Sequence, residues 1–197
     1  MTDLTDLTDL TAALAATERT VGRRQIAAGD ARTAIIRRRY AAEIADVWDA
    51  CTTPERIVRW FLPISGDLRL GGTFQFAGNA GGTILRCEPP RRLVVSWAFE
   101  DRPIDEVELR LSPAPDGDTI LEIEHASANA DTLWGVGIGW ELPLAFSLPL
   151  ELRGELPDMP GVEWFQMTPE IEALVTRHGE IWQAIVAAAL GTTPDQR

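Results

Sequence analysis

IADVWDACTTPERIVRWFLP at residues 44–63, followed by GDLRLGGTF at 66–74, decides the fold of this 197-residue chain. Asp46 to Ala50 and Pro54 to Trp60 read as two short helices. Thr53 has the side chain of an N-cap, Pro54 the fixed φ suited to a first helical position, and Glu55 a charge that opposes the helix dipole. Gly71-Gly72 then turns the chain into a run of alternating segments.

Strands are expected near 67–69, 73–77, 82–88, 92–99, 105–112 and 118–125. Asn79 through Gly82, Pro89-Pro90 and Asp116-Gly117 supply the bends. Alternation puts Leu93, Val95, Trp97 and Phe99 on one face, with Val107, Leu109, Leu111, Leu121, Ile123 and His125. Glu106, Glu108, Arg110, Glu122 and Glu124 fall on the other. One packed and one wet face describe an antiparallel sheet covered on one side.

Upstream, VGRRQIA and ARTAIIRRRY flank Ala28-Gly29-Asp30 as a hairpin turn. Leucines 4, 7, 10 and 14 fit a short amphipathic helix or a frayed tail. Downstream, every even position from 134 to 152 is apolar or glycine-flanked apolar, which nominally says strand. A strand of that length would run roughly 60 Å, against a domain diameter of about 42 Å. A helix would be about 28 Å long, and Trp140, Leu144 and Leu148 satisfy its spacing. The expectation is a helix from about 137, kinked at Pro143 and ended near Pro149. Leu150 to Met167 reads as irregular. Thr168-Pro169-Glu170 opens a second helix with an apolar stripe through Ile171, Leu174, Ile181, Trp182 and Ile185, closed by Gly191.

The formal charge of −12 disfavours nucleic acid and anionic membrane as partners. Apolar stretches are interrupted by Gly, Pro or charge every few residues, so no bilayer-spanning segment is expected, and the acidic N-terminus fits a cytoplasmic protein better than a secreted one. Residues 19–39 reverse the sign, with seven arginines against Asp30 alone. Cys51 and Cys87 form no scaffold, and two histidines 53 positions apart match no zinc spacing. There is no P-loop, no dinucleotide-binding glycine fingerprint and no G-x-S-x-G elbow, so neither metal nor cofactor is expected.

Six pieces in order carry a family resemblance: VWDACTTPERIVRWF, GDLRLGGTF, GGTILRCEPPRRLVVSW, EVELRLSP, GDTILEIEH and GIGWELPLAFSLPL. Over about 33–150 the chain resembles the START-like helix-grip superfamily, also called SRPBCC and Bet v1-like, in the branch related to the activator of Hsp90 ATPase. The resemblance implies an α+β fold, a curved antiparallel sheet around a long C-terminal helix with an internal cavity. It implies that the strand at 32–40 pairs with 118–125, sending Ile36, Arg38 and Tyr40 inward and Arg37 and Arg39 outward towards Glu122 and Glu124. The organisation expected is 1–30 as an N-terminal helix or tail leading into the first hairpin, 31–191 as the domain with a two-part helical end, and 192–197 as a tail. The eukaryotic co-chaperone of this family has a separate N-terminal domain, where this chain has some 30 residues, so Hsp90 activation is not the leading expectation.

Within that fold Trp60, Phe61, Phe74, Phe76, Cys87, Trp97 and Trp140 are candidate cavity walls. His125 sits at the end of an inward row, as a ligand donor, a general base if the protein is an enzyme, or a histidine bonded to backbone. Arg38, also inward, would grip a ligand carboxylate or pair with an acid such as Glu141. The leading function is a non-enzymatic binder of a small hydrophobic or amphipathic molecule. The alternatives are an enzyme of polyketide cyclase or hydrolase type, and a co-chaperone-like module docking a protein through 19–39. Monomer and homodimer both stay open.

Overall fold

A computed structural model describes residues 7–157 and 167–191. Eight antiparallel strands form one curved sheet. They are β1 (Glu18–Ile26), β2 (Gly29–Tyr40), β3 (Ile64–Gly66), β4 (Thr73–Phe76), β5 (Gly81–Glu88), β6 (Arg92–Trp97), β7 (Asp105–Pro113) and β8 (Thr119–Ser127), in the spatial order β1-β2-β8-β7-β6-β5-β4-β3. The helices are α1 (Leu7–Ala15), α2 (Ile44–Thr52), α3 (Pro54–Trp60), α4 (Leu133–Ala145), α5 (Ser147–Arg153) and α6 (Pro169–Leu190). This is the helix-grip α+β architecture: α4 lies across β2, and α6 packs on α4 and β1. Leu4, the tail at 192–197 and positions 158–166 of the segment expected to be irregular lie outside the described residues.

The register sets the faces. Ile36 pairs with Ile123 and Arg38 with Leu121, so the even residues of β2 point inward and Ala34, Ile36 and Tyr40 are buried. Arg37 stands opposite Glu122 as expected, but does not pair with it. Arg37 lies 3.9 Å from Glu18, and Arg39 holds Asp118 at 2.6 Å. Arg110, one strand further on, takes Glu122 at 2.6 Å and Glu124 at 2.7 Å. The outer face is also drier than alternation predicts. Glu108 is 2 % exposed because Arg24, Arg92 and Arg110 fold over it. Long arginine stems bury charge that a binary pattern assigns to water.

Three further boundaries depart from expectation. The strand placed at 67–69 is β3, three residues earlier, and the chain from Asp67 to Gly72 is turn. Thr53 does cap α3, but its hydroxyl donates back to Asp49 Oδ1 at 2.6 Å and makes no capping bond forward. Helix α4 begins at Leu133, since Asn129 accepts from the Asp131 amide and winds a 3-10 turn into it. The stretch 130–153 is long and apolar enough to cross a bilayer by composition, contrary to the sequence reading. It breaks at Phe146 and half of it is buried, so it is a core helix pair.

Pro143 lies inside α4, which continues past it to Ala145; the break comes where Pro149 has no N–H to give the Ala145 carbonyl. Near it Tyr40 donates its hydroxyl to the Leu144 carbonyl at 2.8 Å. Arg56 and Arg59 hold the buried Glu151 of α5 at 2.9 and 2.7 Å, which fastens α3 beneath the same helix pair.

A polar hub joins the ends of the chain. Glu141 of α4 is wholly buried and accepts from Arg19 of β1 and from Trp182 Nε1 of α6 at 2.7 Å, with His178 Nδ1 3.2 Å away. Arg38, for which the sequence offered a ligand carboxylate or an acid such as Glu141, is not that partner. It donates instead to the Ala13 carbonyl and the Thr17 hydroxyl, tying down the end of α1. Arg19, also inward and one strand nearer α6, takes the carboxylate.

Burial holds the His178 imidazole below its usual value, with Arg19 and Arg177 acting in the same sense and Glu141 against them. The unfolded chain therefore binds more protons, and stability rises with pH. This contribution is complete above the ordinary histidine pKa of about 6.5 and is lost as pH falls through the lower folded value. Urea midpoints between pH 8 and 5 are expected to fall more steeply for the wild type than for His178→Gln. Identical slopes would show that His178 titrates freely.

Candidate functional site

Between the concave sheet and the helices lies an apolar cavity of about 120 Å³. Its wall is built by inward strand rows, Leu93, Val95 and Trp97 of β6, Val107 and Leu109 of β7, and Leu121 and Ile123 of β8. Helices α2 to α4 close it with Cys51, Ile57, Trp60, Phe61, Trp140 and Leu144. The volume is below the roughly 300–1,000 Å³ of a drug-sized pocket, because aromatic rings fill one end. Phe61 stacks on Trp140 at 5.2 Å between centroids and 10° between planes, and Phe76 meets Phe61 edge-on at 5.0 Å. Trp97 leans on both Phe76 and Trp140.

Seven of the nine candidate residues meet at this cavity: Trp60, Phe61, Phe74, Phe76, Cys87, Trp97 and Trp140. Arg38 lines neither this cavity nor its neighbour. His125 lines a second space, an outer cleft of about 440 Å³ that shares Phe61, Trp97 and Trp140 with the inner one. The two spaces thus adjoin at these three aromatic rings.

The setting of His125 limits its chemistry. Trp140 Nε1 donates to His125 Nδ1 at 3.0 Å. An indole N–H only donates, so Nδ1 accepts and the proton sits on Nε2, facing Asp105 Oδ2 at 3.0 Å. Both ring nitrogens are engaged by side chains, where the sequence offered backbone or a ligand. Asp105 was missed although it was legible, since it falls on the same alternating row as Val107 and Leu109. Cys51 opens on the inner cavity, and burial pushes its thiol up to about 12, leaving it protonated at neutral pH.

Helix α4 borders the outer cleft with Trp134, Gly135, Val136 and Gly139. A Cβ built on Gly135 or Gly139 meets nothing within 4 Å, whereas on Gly137 it would strike the Trp182 ring at 2.4 Å. Glycine within a helix costs about 1 kcal/mol against alanine, and packing accounts for Gly137 alone. Gly139→Ala is accordingly expected to raise stability by about 0.5–1 kcal/mol in urea unfolding. A loss would mean that Gly139 supports the fold in some other way.

The family profile described as activator of Hsp90 ATPase homolog 1-like protein matches residues 41–145. CalU16 from Micromonospora echinospora is similar at 50% identity over 87% of this chain and 98% of its own, with a TM-score of 0.77 for the crystal structure. Its solution structure gives 51% identity, 88% and 96% coverage and 0.78. PFC0360w, an Hsp90 activator from Plasmodium falciparum, is similar in fold at 20% identity, covering 64% of this chain and 97% of its own with a TM-score of 0.54. No curated protein matches.

Proposed function

The chain belongs to the activator of Hsp90 ATPase homolog 1-like family, with the START-like helix-grip fold, and we propose that it binds a small apolar molecule in its inner cavity without transforming it. The observation that carries this reading is the cavity itself, walled by strand and helix apolar rows and by six aromatic residues. A void of about 150 Å³ lined by apolar side chains holds a benzene-sized guest. The space here suits a single ring or a short alkyl chain.

The enzyme reading has weaker support. His125 has both nitrogens bonded, the Cys51 thiol is held protonated, and among the described residues no free base lines the apolar cavity. A docking role for residues 19–39 is also disfavoured by where their charge goes. Arg19, Arg24, Arg37 and Arg39 are in ion pairs within the chain, and Arg38 is bonded to the end of α1.

Toluene, indole and hexanol test the cavity by thermal unfolding and tryptophan fluorescence. A ligand at 100 times its Kd stabilises the folded state by about 2.7 kcal/mol. We expect at least one of the three to do so and Val107→Phe, which fills the cavity from β7, to abolish the effect. No response from the wild type to any of them, or an undiminished response from Val107→Phe, would overturn the reading.

A further inference from the structure

We propose that the outer cleft is a site for an organic cation, the ammonium group of an amphipathic amine whose apolar part enters the inner cavity. The clause about the apolar part rests on the cavity reading above; the cation site stands on the cleft's own groups.

Aromatic side chains from four parts of the chain surround the cleft: Phe61 after α3, Trp97 of β6, Phe99 in the following loop, and Trp134 and Trp140 of α4. Trp134 keeps 42 % of its surface exposed, unusual for the largest apolar side chain. Aromatic faces attract cations, most strongly when water is excluded. Two carboxylates, Asp105 and Asp131, line the same space. Arg102, the one arginine lining the cleft among the described residues, already shows the wall's preference, for its guanidinium stands 5.0 Å over the Phe99 ring. Its charge is offset by Glu100, 3.9 Å away. An exposed guanidinium on a short loop is a displaceable occupant.

An anion would need free donors, and the start of α4 does not provide them. The amide of Asn129 donates to Ser127 Oγ, that of Asp131 to Asn129 Oδ1, and that of Thr132 to the Asn129 carbonyl. The Leu133 amide is taken by the Ala130 carbonyl. The amides leading into the helix, through Leu133, are thus taken up within the chain, which weakens the pull that a helix start has on negative charge. Gly135 and Gly139 lie one helical turn apart with open space before them, so the cleft floor is bare backbone that a bulky trimethylammonium can approach.

Four probes separate the two sites: tetramethylammonium, hexyltrimethylammonium, hexanol and hexanoate, titrated by tryptophan fluorescence in full-length protein. Hexyltrimethylammonium is expected to bind about tenfold or more tighter than hexanol, with hexanoate weakest. Asp131→Asn should remove most of that advantage, and Arg102→Ala should increase it. Gly139→Leu, which projects into open space, should block both ammonium probes and leave hexanol binding unchanged. Equal affinity for hexyltrimethylammonium and hexanol would overturn the cation site while leaving the cavity reading intact. Binding of tetramethylammonium by a protein that responds to none of toluene, indole and hexanol would do the reverse. Insensitivity of the ammonium probes to Asp131→Asn and Arg102→Ala together would overturn the assignment to this cleft.

Discussion

Glu141→Ala is expected to cost about 3–5 kcal/mol of folding stability, the range for removing one partner of a buried ion pair. The carboxylate is fully enclosed and receives Arg19 from β1 and the Trp182 indole from α6. Without it Arg19, 12 % exposed at its side chain, keeps only the Thr17 and Leu14 carbonyls and His178 as acceptors. The charge would then lie in a protein interior with no countercharge. Most of the expected loss is that penalty and not the intrinsic worth of the pair. Arg19→Met combined with Glu141→Leu should therefore recover much of it, because an apolar pair of similar volume leaves nothing unpaired. Urea unfolding of the two single variants and the double one measures the coupling. Additive losses would show that the pair does not interact energetically, and a single-variant loss under about 1 kcal/mol would place Glu141 in contact with water.

The hub was only half legible beforehand. Inward parity of β2 correctly sent Arg38 into the domain, and an acid partner on α4 was anticipated at Glu141. Arg19 was not read as inward at all, so Glu141 was offered only to Arg38, as the alternative to a ligand carboxylate. Arg19 and Arg38 both face inward, and which one reaches α4 depends on how the edge strand curls under α6, a long-range property. Boundaries show the same division. Thr168 and Pro169 start α6 where local chemistry says, and the Thr168 hydroxyl accepts from Ile171 at 3.3 Å. The break that Pro149 causes comes earlier than expected, at Phe146, and leaves the proline in the first turn of α5, where a missing N–H is tolerated.

For the site, alternation put Trp97 on the packed face, and the family resemblance, not periodicity, gathered Trp60, Phe61, Phe74, Phe76 and Trp140 with it as cavity walls. The division of that space into two was not foreseeable. It depends on Trp140, a helical residue, reaching across to His125 on β8, and on Phe61 turning back to stack on it. Neither contact has a local signal. Asp105 had one, the parity of β7, but a single acid at a strand start reads as solvent-facing until its neighbours are known.

Trp182→Ala is expected to be comparably destabilising, by about 3–5 kcal/mol. Trp182 is the largest fully buried side chain among the described residues and belongs to the core that α6 shares with the sheet. Its ring rests against α4 at Gly137, which explains that glycine: a methyl there would come within 2.4 Å of the ring. The pair behaves as a lock in which the bulk on α6 requires the gap on α4. Gly137→Ala alone should cost about 1–3 kcal/mol by overpacking, despite the better helix propensity of alanine. Combining it with Trp182→Phe should relieve part of the clash, although Phe cannot donate to Glu141. If packing governs, the double variant is less destabilised than the sum of the singles, and thermal or urea unfolding reads the difference directly. If the indole N–H governs, Trp182→Phe will already lose nearly as much as Trp182→Ala, and adding Gly137→Ala will not help. The contrast with Gly139, two residues on and facing the empty cleft, makes the test internal to one helix. A methyl on the Trp182 side should weaken the fold, and a methyl on the cleft side should strengthen it.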